Sequence, residues 1–283
     1  MVRFPVLANR RLALSIRSNR SWYVTSIAPP PLRQLSCSRP MQNSLVVLSL
    51  PGAWVSRAEF LSALSSQAPK YRLVDGMLTD LHTGESVLIE FRKGRRRNTV
   101  LDFWCFGLHW HDTSEMRAVR QHASCVIIKG AGGSLHRMMH LMAAASAVVQ
   151  AGALGVLVEH VGIAHTPQKW LDFASEGVDG ILRAFVVTVD GAGSGAYSCG
   201  MHNFGMKEVS APAEIPNCAN VVGIITRHLL VKGASIARGQ TIAIGGKADR
   251  YQFWDVRSAV APDGAVFDHQ IGTWKLLRAE AIH

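Results

Sequence analysis

Ala123-Ser124-Cys125-Val126-Ile127-Ile128, then Gly130-Ala131-Gly132-Gly133, then Ser134 through Gln150, then Leu154-Gly155-Val156-Leu157-Val158: this stretch decides the fold. The short apolar run predicts a buried strand, the glycines a turn, and Ser134 the cap of a helix, because its hydroxyl can accept a first-turn backbone amide. Leu135, Met138, Met139, Leu141, Met142, Ala145, Val148 and Val149 fall at helical spacing and cover a wide face. The run Leu141–Val158 is long enough to suggest a membrane span. Six of its 18 residues are alanine, which contributes little transfer free energy, and Gly152 divides it. The expectation is helix, turn and strand inside a core, with no membrane span.

Working outward, Leu45-Val46-Val47-Leu48-Ser49-Leu50 predicts another buried strand, and Ser56 with Glu59 carries a capping-box signature for a helix over 56–67. Extended segments are predicted over 72–79, 86–92 and 99–107, and a short polar helix over 113–121. Beyond the central stretch come a helix from Pro167 through Phe173, strands over 182–189 and 196–203, and a helix from about Pro216 to Lys232. That helix is expected to bury Val221, Val222, Ile224, Ile225 and Leu229, and Gly233 ends it. A strand over Thr241–Ile244 and short strands between Trp254 and Trp274 complete the chain. Helices and strands mix without βαβ regularity, which predicts an α+β fold of mixed sheets packed with helices.

The 283 residues are 48% apolar and 18% charged, which excludes disorder as the main state, and five scattered cysteines exclude a disulfide scaffold. The formal charge of +10 is uneven. Residues 1–40 hold seven arginines and neither lysine nor acid; without them 23 basic residues face 20 acidic ones, or +3. We therefore divide the chain into a non-globular leader (1–40, extended or disordered), an N-terminal α+β part (41–122) and a C-terminal α+β part (123–283). The leader reads either as an upstream region preceding a start at Met41 or as an organelle transit segment; the rest is expected in the cytoplasm. The basic run Arg92-Lys93-Gly94-Arg95-Arg96-Arg97 reads as a solvated hairpin loop; without interleaved aromatics it does not predict nucleic-acid binding.

Chemical motifs are incomplete. His109 and His111, alternate residues beside Asp112, can share one face of a strand and reach one metal ion, but no further ligand is fixed by spacing. His136 and His140 have the i, i+4 spacing of a zinc helix, with Arg137 in place of the glutamate base. Gly130–Ser134 lacks the lysine of a phosphate loop, and Gly191-Ala192-Gly193-Ser194-Gly195 reads as a hairpin loop. Cys37, Cys105, Cys125, Cys199 and Cys218 form no C-x-x-C pair. No cofactor is expected.

From about Ala123 onward the order of features resembles an uncharacterised, mainly bacterial family, domain of unknown function 4261. The matching points are Cys125–Val158, His165-Thr166-Pro167 leading into Trp170-Leu171, Phe185-Val186-Val187, Gly200-Met201-His202-Asn203-Phe204-Gly205 followed by Glu208, and Gly239-Gln240-Thr241-Ile242. Arg238-Gly239-Gln240 stands where the family more often has an acid. The resemblance implies a soluble α+β domain and no particular chemistry. Two functions follow as expectations. One is a non-catalytic binding protein with a protein partner, of the immunity type that neutralises a secreted bacterial toxin by covering its active site. The alternative is a metal-dependent hydrolase using His109, His111 and Asp112, joined by His136, His165 or His202.

Overall fold

The structure is a computed structural model that describes residues 45–95, 99–100, 102–103, 110, 112–191, 195–233, 236–244, 250–256, 259–260, 266–267 and 271–279. In β1 (Leu45–Gly52), Val46, Leu48 and Leu50 are buried on one face, and Val47 packs with Cys125 and Ile127 on the other. Both faces are covered, which is why the sequence there is almost continuously apolar. Helix α1 (Arg57–Gln67) starts as its capping box predicts: Ser56 Oγ accepts from Glu59 N–H, while Glu59 Oε2 reaches back to Val55 N–H. Phe60 of α1 lies edge-on to Trp54, with ring centres 4.9 Å apart.

The segment expected to run extended over 72–79 is instead a tight hairpin, β2 (Tyr71–Val74) and β3 (Met77–Asp80). Asp75 (φ 50°) and Gly76 (φ 80°) form a two-residue turn with both central residues left-handed, the geometry that suits the strand twist. β4 (Ser86–Lys93) follows. The strand expected over 99–107 does not form among its described residues, since 99, 100, 102 and 103 are helical. Neither edge of β4 is available, because β3 and β5 (Ser124–Ala131) already occupy them. Phe103 instead packs with Trp110, Met116, Val119 and Leu157, the middle pair from α2 (Ser114–Arg120).

Helix α3 (Leu135–Gln150), a turn at Gly152 and β6 (Val156–Val158) realise the helix–turn–strand reading. Among the described residues no helix is long and apolar enough to cross a membrane. With β7 (Ile163–His165) the first sheet is complete, in the order β2-β3-β4-β5-β1-β6-β7, every neighbouring pair antiparallel. Its strands come from both sides of residue 122.

Helix α4 (Pro167–Ser175) carries proline in its first turn and Thr166 as cap. Helix α5 (Gly177–Phe185) replaces the first half of the strand expected over 182–189: Ile181, Leu182, Ala184 and Phe185 bury one helical face, and only β8 (Val187–Asp190) is extended. β9 (Ala196–Cys199) stops short of the expected Asn203, because Met201–Phe204 form a 3₁₀ turn. After β10 (Glu208–Ala211), helix α6 (Cys218–Lys232) buries Val221, Val222, Ile225 and Leu229. Ile224 is 40% exposed, contrary to expectation, because it lies outside their arc. The chain continues through β11 (Thr241–Ala243), β12 (Arg250–Val256), β13 (Ala259–Val260), β14 (Val266–Phe267) and β15 (Thr273–Arg278). The second sheet, β11-β12-β15-β10-β9-β8, is mixed through its parallel β10–β15 pair, while β13 and β14 pair only with each other.

The fold is α+β, with α1 and α3–α6 sharing the core between the two large sheets and α2 packed on the outer face of the first. α3 rests on β1 and β5, α6 on β8, β9 and β10, and α5 touches both helices. One apolar core runs through all of them. Its centre is a ladder of rings, His165–Trp170–Phe185–Phe204, with successive centres 5.9, 5.4 and 6.5 Å apart. Burying each large ring is worth about 1.5–3 kcal/mol.

Candidate functional site

The histidines singled out in the sequence occupy different surroundings. His109 and His111 lie outside the described residues, and Asp112 is exposed just before α2, its carbonyl accepting from Arg117. His136 and His140 do share a helix face, and both turn Nδ1 toward the Glu85 carboxylate, at 3.5 and 3.1 Å. The pair thereby holds the β3–β4 turn against α3. His165 is buried, its Nε2–H donating to the Ala184 carbonyl at 3.0 Å and its ring edge-on to Phe173. Burial pushes its pKa down to about 4, so the ring is neutral. Among the described residues no three His, Cys, Asp or Glu side chains form a group able to hold a metal ion.

His202 has the most developed polar environment. Its Nδ1 lies 2.8 Å from Glu208 Oε1, which also accepts from the backbone N–H of Gly200 (2.9 Å) and His202 (3.2 Å). Oε2 accepts from Ser198 Oγ at 2.6 Å, and Glu208 is only 1% exposed. A buried carboxylate without donors would cost several kcal/mol, whereas this one has a set converging from the end of β9 and the turn that follows it. The loop itself is wedged on two sides. Gly200 (φ 122°) lies so close to the Phe185 carbonyl that a side chain would collide with it. A Cβ on Gly205 (φ 74°) would meet Gly133 O at 2.8 Å. Gly133 N–H donates to Asn203 O at 2.7 Å, so the glycine turn before α3 spends that amide on the loop. The stretch Gly200–Glu208, noted in the sequence only through the family resemblance, is thus a brace between the two sheets. The alternation in Glu208-Val209-Ser210-Ala211 carried no signal that its acid faces inward.

The remaining candidates are likewise engaged. Cys125 is fully buried, burial pushes the Cys199 and Cys218 thiols up, and Cys37 and Cys105 lie outside the described residues. Arg92 donates to Glu90 at 2.7 Å and Lys129 approaches the same carboxylate at 3.4 Å, so Arg92 foremost, with Lys129, holds Glu90 down at about 2. Arg96 and Arg97 are outside the described residues. Gly191 N–H donates to Gly195 O, closing the β8–β9 hairpin as expected.

A surface that the sequence reading missed is the outer face of the first sheet at its β2–β3–β4 end. The register places Val74 beside Met77, Met77 beside Leu88, and Leu88 beside Lys129. These three apolar side chains form a row that is 54%, 39% and 43% exposed. Around it stand Arg72, Glu90, Arg92 and Lys129, a net cationic rim. On the inner side of the same edge, Leu61, Leu64, Pro69, Tyr71, Leu73 and Leu81 line a groove of about 270 Å³. The signal was present in Val74-Asp75-Gly76-Met77, apolar residues flanking a hairpin dipeptide. Comparison with protein-family models, curated proteins and solved structures finds no match to this chain.

Proposed function

We propose that this protein works by binding another protein, with the Val74–Met77–Leu88 row as the centre of the contact. The observation that carries this reading is three adjacent apolar side chains left open on a sheet face whose other half is covered. Covering the half of each side chain that is still open is worth about 1 kcal/mol apiece, so the row anchors the contact and the rim around it must contribute the rest. The cationic rim selects a partner surface with an apolar centre and an acidic border, since opposite potentials steer encounter and fix register. In its narrower form the partner is a secreted bacterial toxin whose active site is covered, and shape and surface suffice for that without bond-making groups.

The test is co-expression with toxins encoded beside the gene, and binding of the purified pair by calorimetry. Protection of the cells, lost in a Met77→Glu/Leu88→Glu variant whose circular dichroism is unchanged, supports the reading. Failure of every neighbouring toxin to bind, unchanged affinity in the variant, or tight salt-sensitive binding to DNA in its place overturns it.

A further inference from the structure

The far edge of the first sheet is β2, and among the described residues no strand pairs with it on that side. The hairpin fixes which of its main-chain groups point outward. A two-residue turn makes Val74 and Met77 a hydrogen-bonded pair, so Arg72 and Lys70 bond inward as well, consistent with Leu81 N–H donating to Lys70 O at 2.8 Å. Leu73 N–H and C=O, the Tyr71 carbonyl and Asp75 N–H therefore point away from the sheet. Tyr71 N–H, pointing the same way, is taken by Ala68 O at 2.9 Å.

We propose that two copies of this chain pair antiparallel through their β2 edges, about a twofold axis at Leu73, joining two seven-stranded sheets into one. On that axis Leu73 N–H donates to Leu73 O of the second copy and receives the same bond in return. At either end Asp75 N–H meets the Tyr71 carbonyl of the other copy. The charges agree with this register: Asp75 of each copy falls opposite Tyr71, next to Arg72 of the other, while Lys70 there already pairs with its own Asp80 at 3.8 Å. In a parallel pairing Arg72 would lie beside its own counterpart, like charge against like. The register also covers apolar surface. Arg72 stands across from Val74 of the second copy, so its aliphatic stem lies on that exposed side chain. The two Leu73 side chains meet on the inner side, above the groove lined by Leu61 and Leu64. β2 has no proline or bulge of the kind that blunts an edge strand. The dimer places the two apolar rows side by side, offset by two residues along the strand, and leaves Met77 and Leu88 open. It does not depend on the partner reading above.

Sedimentation equilibrium of the full chain tests the proposal. The expected mass rises from 30.8 kDa toward twice that value as the protein concentration is raised. Leu73→Pro removes the outward N–H without touching the β2–β3 ladder; it stays monomeric, with unchanged circular dichroism. Asp75→Lys raises the dissociation constant at least about fivefold. Leu73→Cys, oxidised, gives a peptide cross-linked through the two introduced thiols, because a hydrogen-bonded antiparallel pair sets its Cα atoms about 5.5 Å apart, within disulfide reach. A wild-type chain monomeric to about 200 µM, or a dimer that survives Leu73→Pro and yields no such peptide, overturns the proposal.

Discussion

Replacing His165 by glutamine isolates one buried imidazole as a contributor to acid sensitivity. The ring is enclosed by Trp170 and Phe173, with Nε2–H on the Ala184 carbonyl, and its folded-state pKa is about 4. In the unfolded chain the same group titrates near its ordinary value of about 6.5. Because the folded value is the lower one, unfolding takes up a proton between these limits. The stability is fully present above pH ~6.5, declines as pH falls, and levels off below pH ~4. The shift corresponds to about 3 kcal/mol in total, of which about 2 kcal/mol is lost by pH 5. His165→Gln keeps a donor for Ala184 and cannot titrate. Urea unfolding of both chains from pH 7.5 to 4.5 gives two stability curves whose difference removes the contributions of His122 and His160, also lowered by burial. The expected difference changes by about 2 kcal/mol between pH 7.5 and 5, the variant losing less. Parallel curves would show that His165 titrates alike in the folded and unfolded chains and refute the account of a depressed, buried imidazole.

Three further outcomes follow from the same geometry. Glu208→Gln, which keeps the shape but not the charge, lowers urea stability by about 2 kcal/mol, and Glu208→Ala, which leaves four donors facing a void, by about 4 kcal/mol. Gly200→Ala costs more than about 3 kcal/mol by the same measurement, since a side chain at φ 122° is both strained and driven into the Phe185 carbonyl. Ser134→Ala removes the acceptor for Arg137 N–H at the start of α3 and lowers the melting stability by about 1 kcal/mol.

What the sequence made legible were elements whose local signals and burial agree. Ser134 and the apolar spacing after it name α3 correctly, and Ser56 with Glu59 names the start of α1. Where tertiary packing overrides local pattern, the reading fails. Leu182–Phe185 looks extended, yet Ile181 and Phe185 both serve the core and require helical spacing. Residues 99–107 look like a strand, but among the described ones 99, 100, 102 and 103 are helical, and Phe103 is drawn into the cluster with Trp110, Met116, Val119 and Leu157. The hairpin turn at Asp75-Gly76 is signalled by its dipeptide but is masked by the longer apolar segment around it. Of the polar candidates, spacing placed His136 and His140 on one face but could not supply Glu85, which arrives from another part of the chain. Glu208 was equally illegible, because what turns it inward is the pair of close approaches at Gly200 and Gly205.

The strand order has a consequence for synthesis. β1 is made first, but its neighbours β5 and β6 follow much later, β5 being complete only at residue 131. At about 5–20 residues per second, Val46, Leu48 and Leu50 wait several seconds or more on the ribosome with both strand edges unpaired. During that interval the nascent chain offers a sticky ribbon to any passing polypeptide, so yield in a living cell should respond to elongation speed and to holdase chaperones before it responds to changes in the finished core.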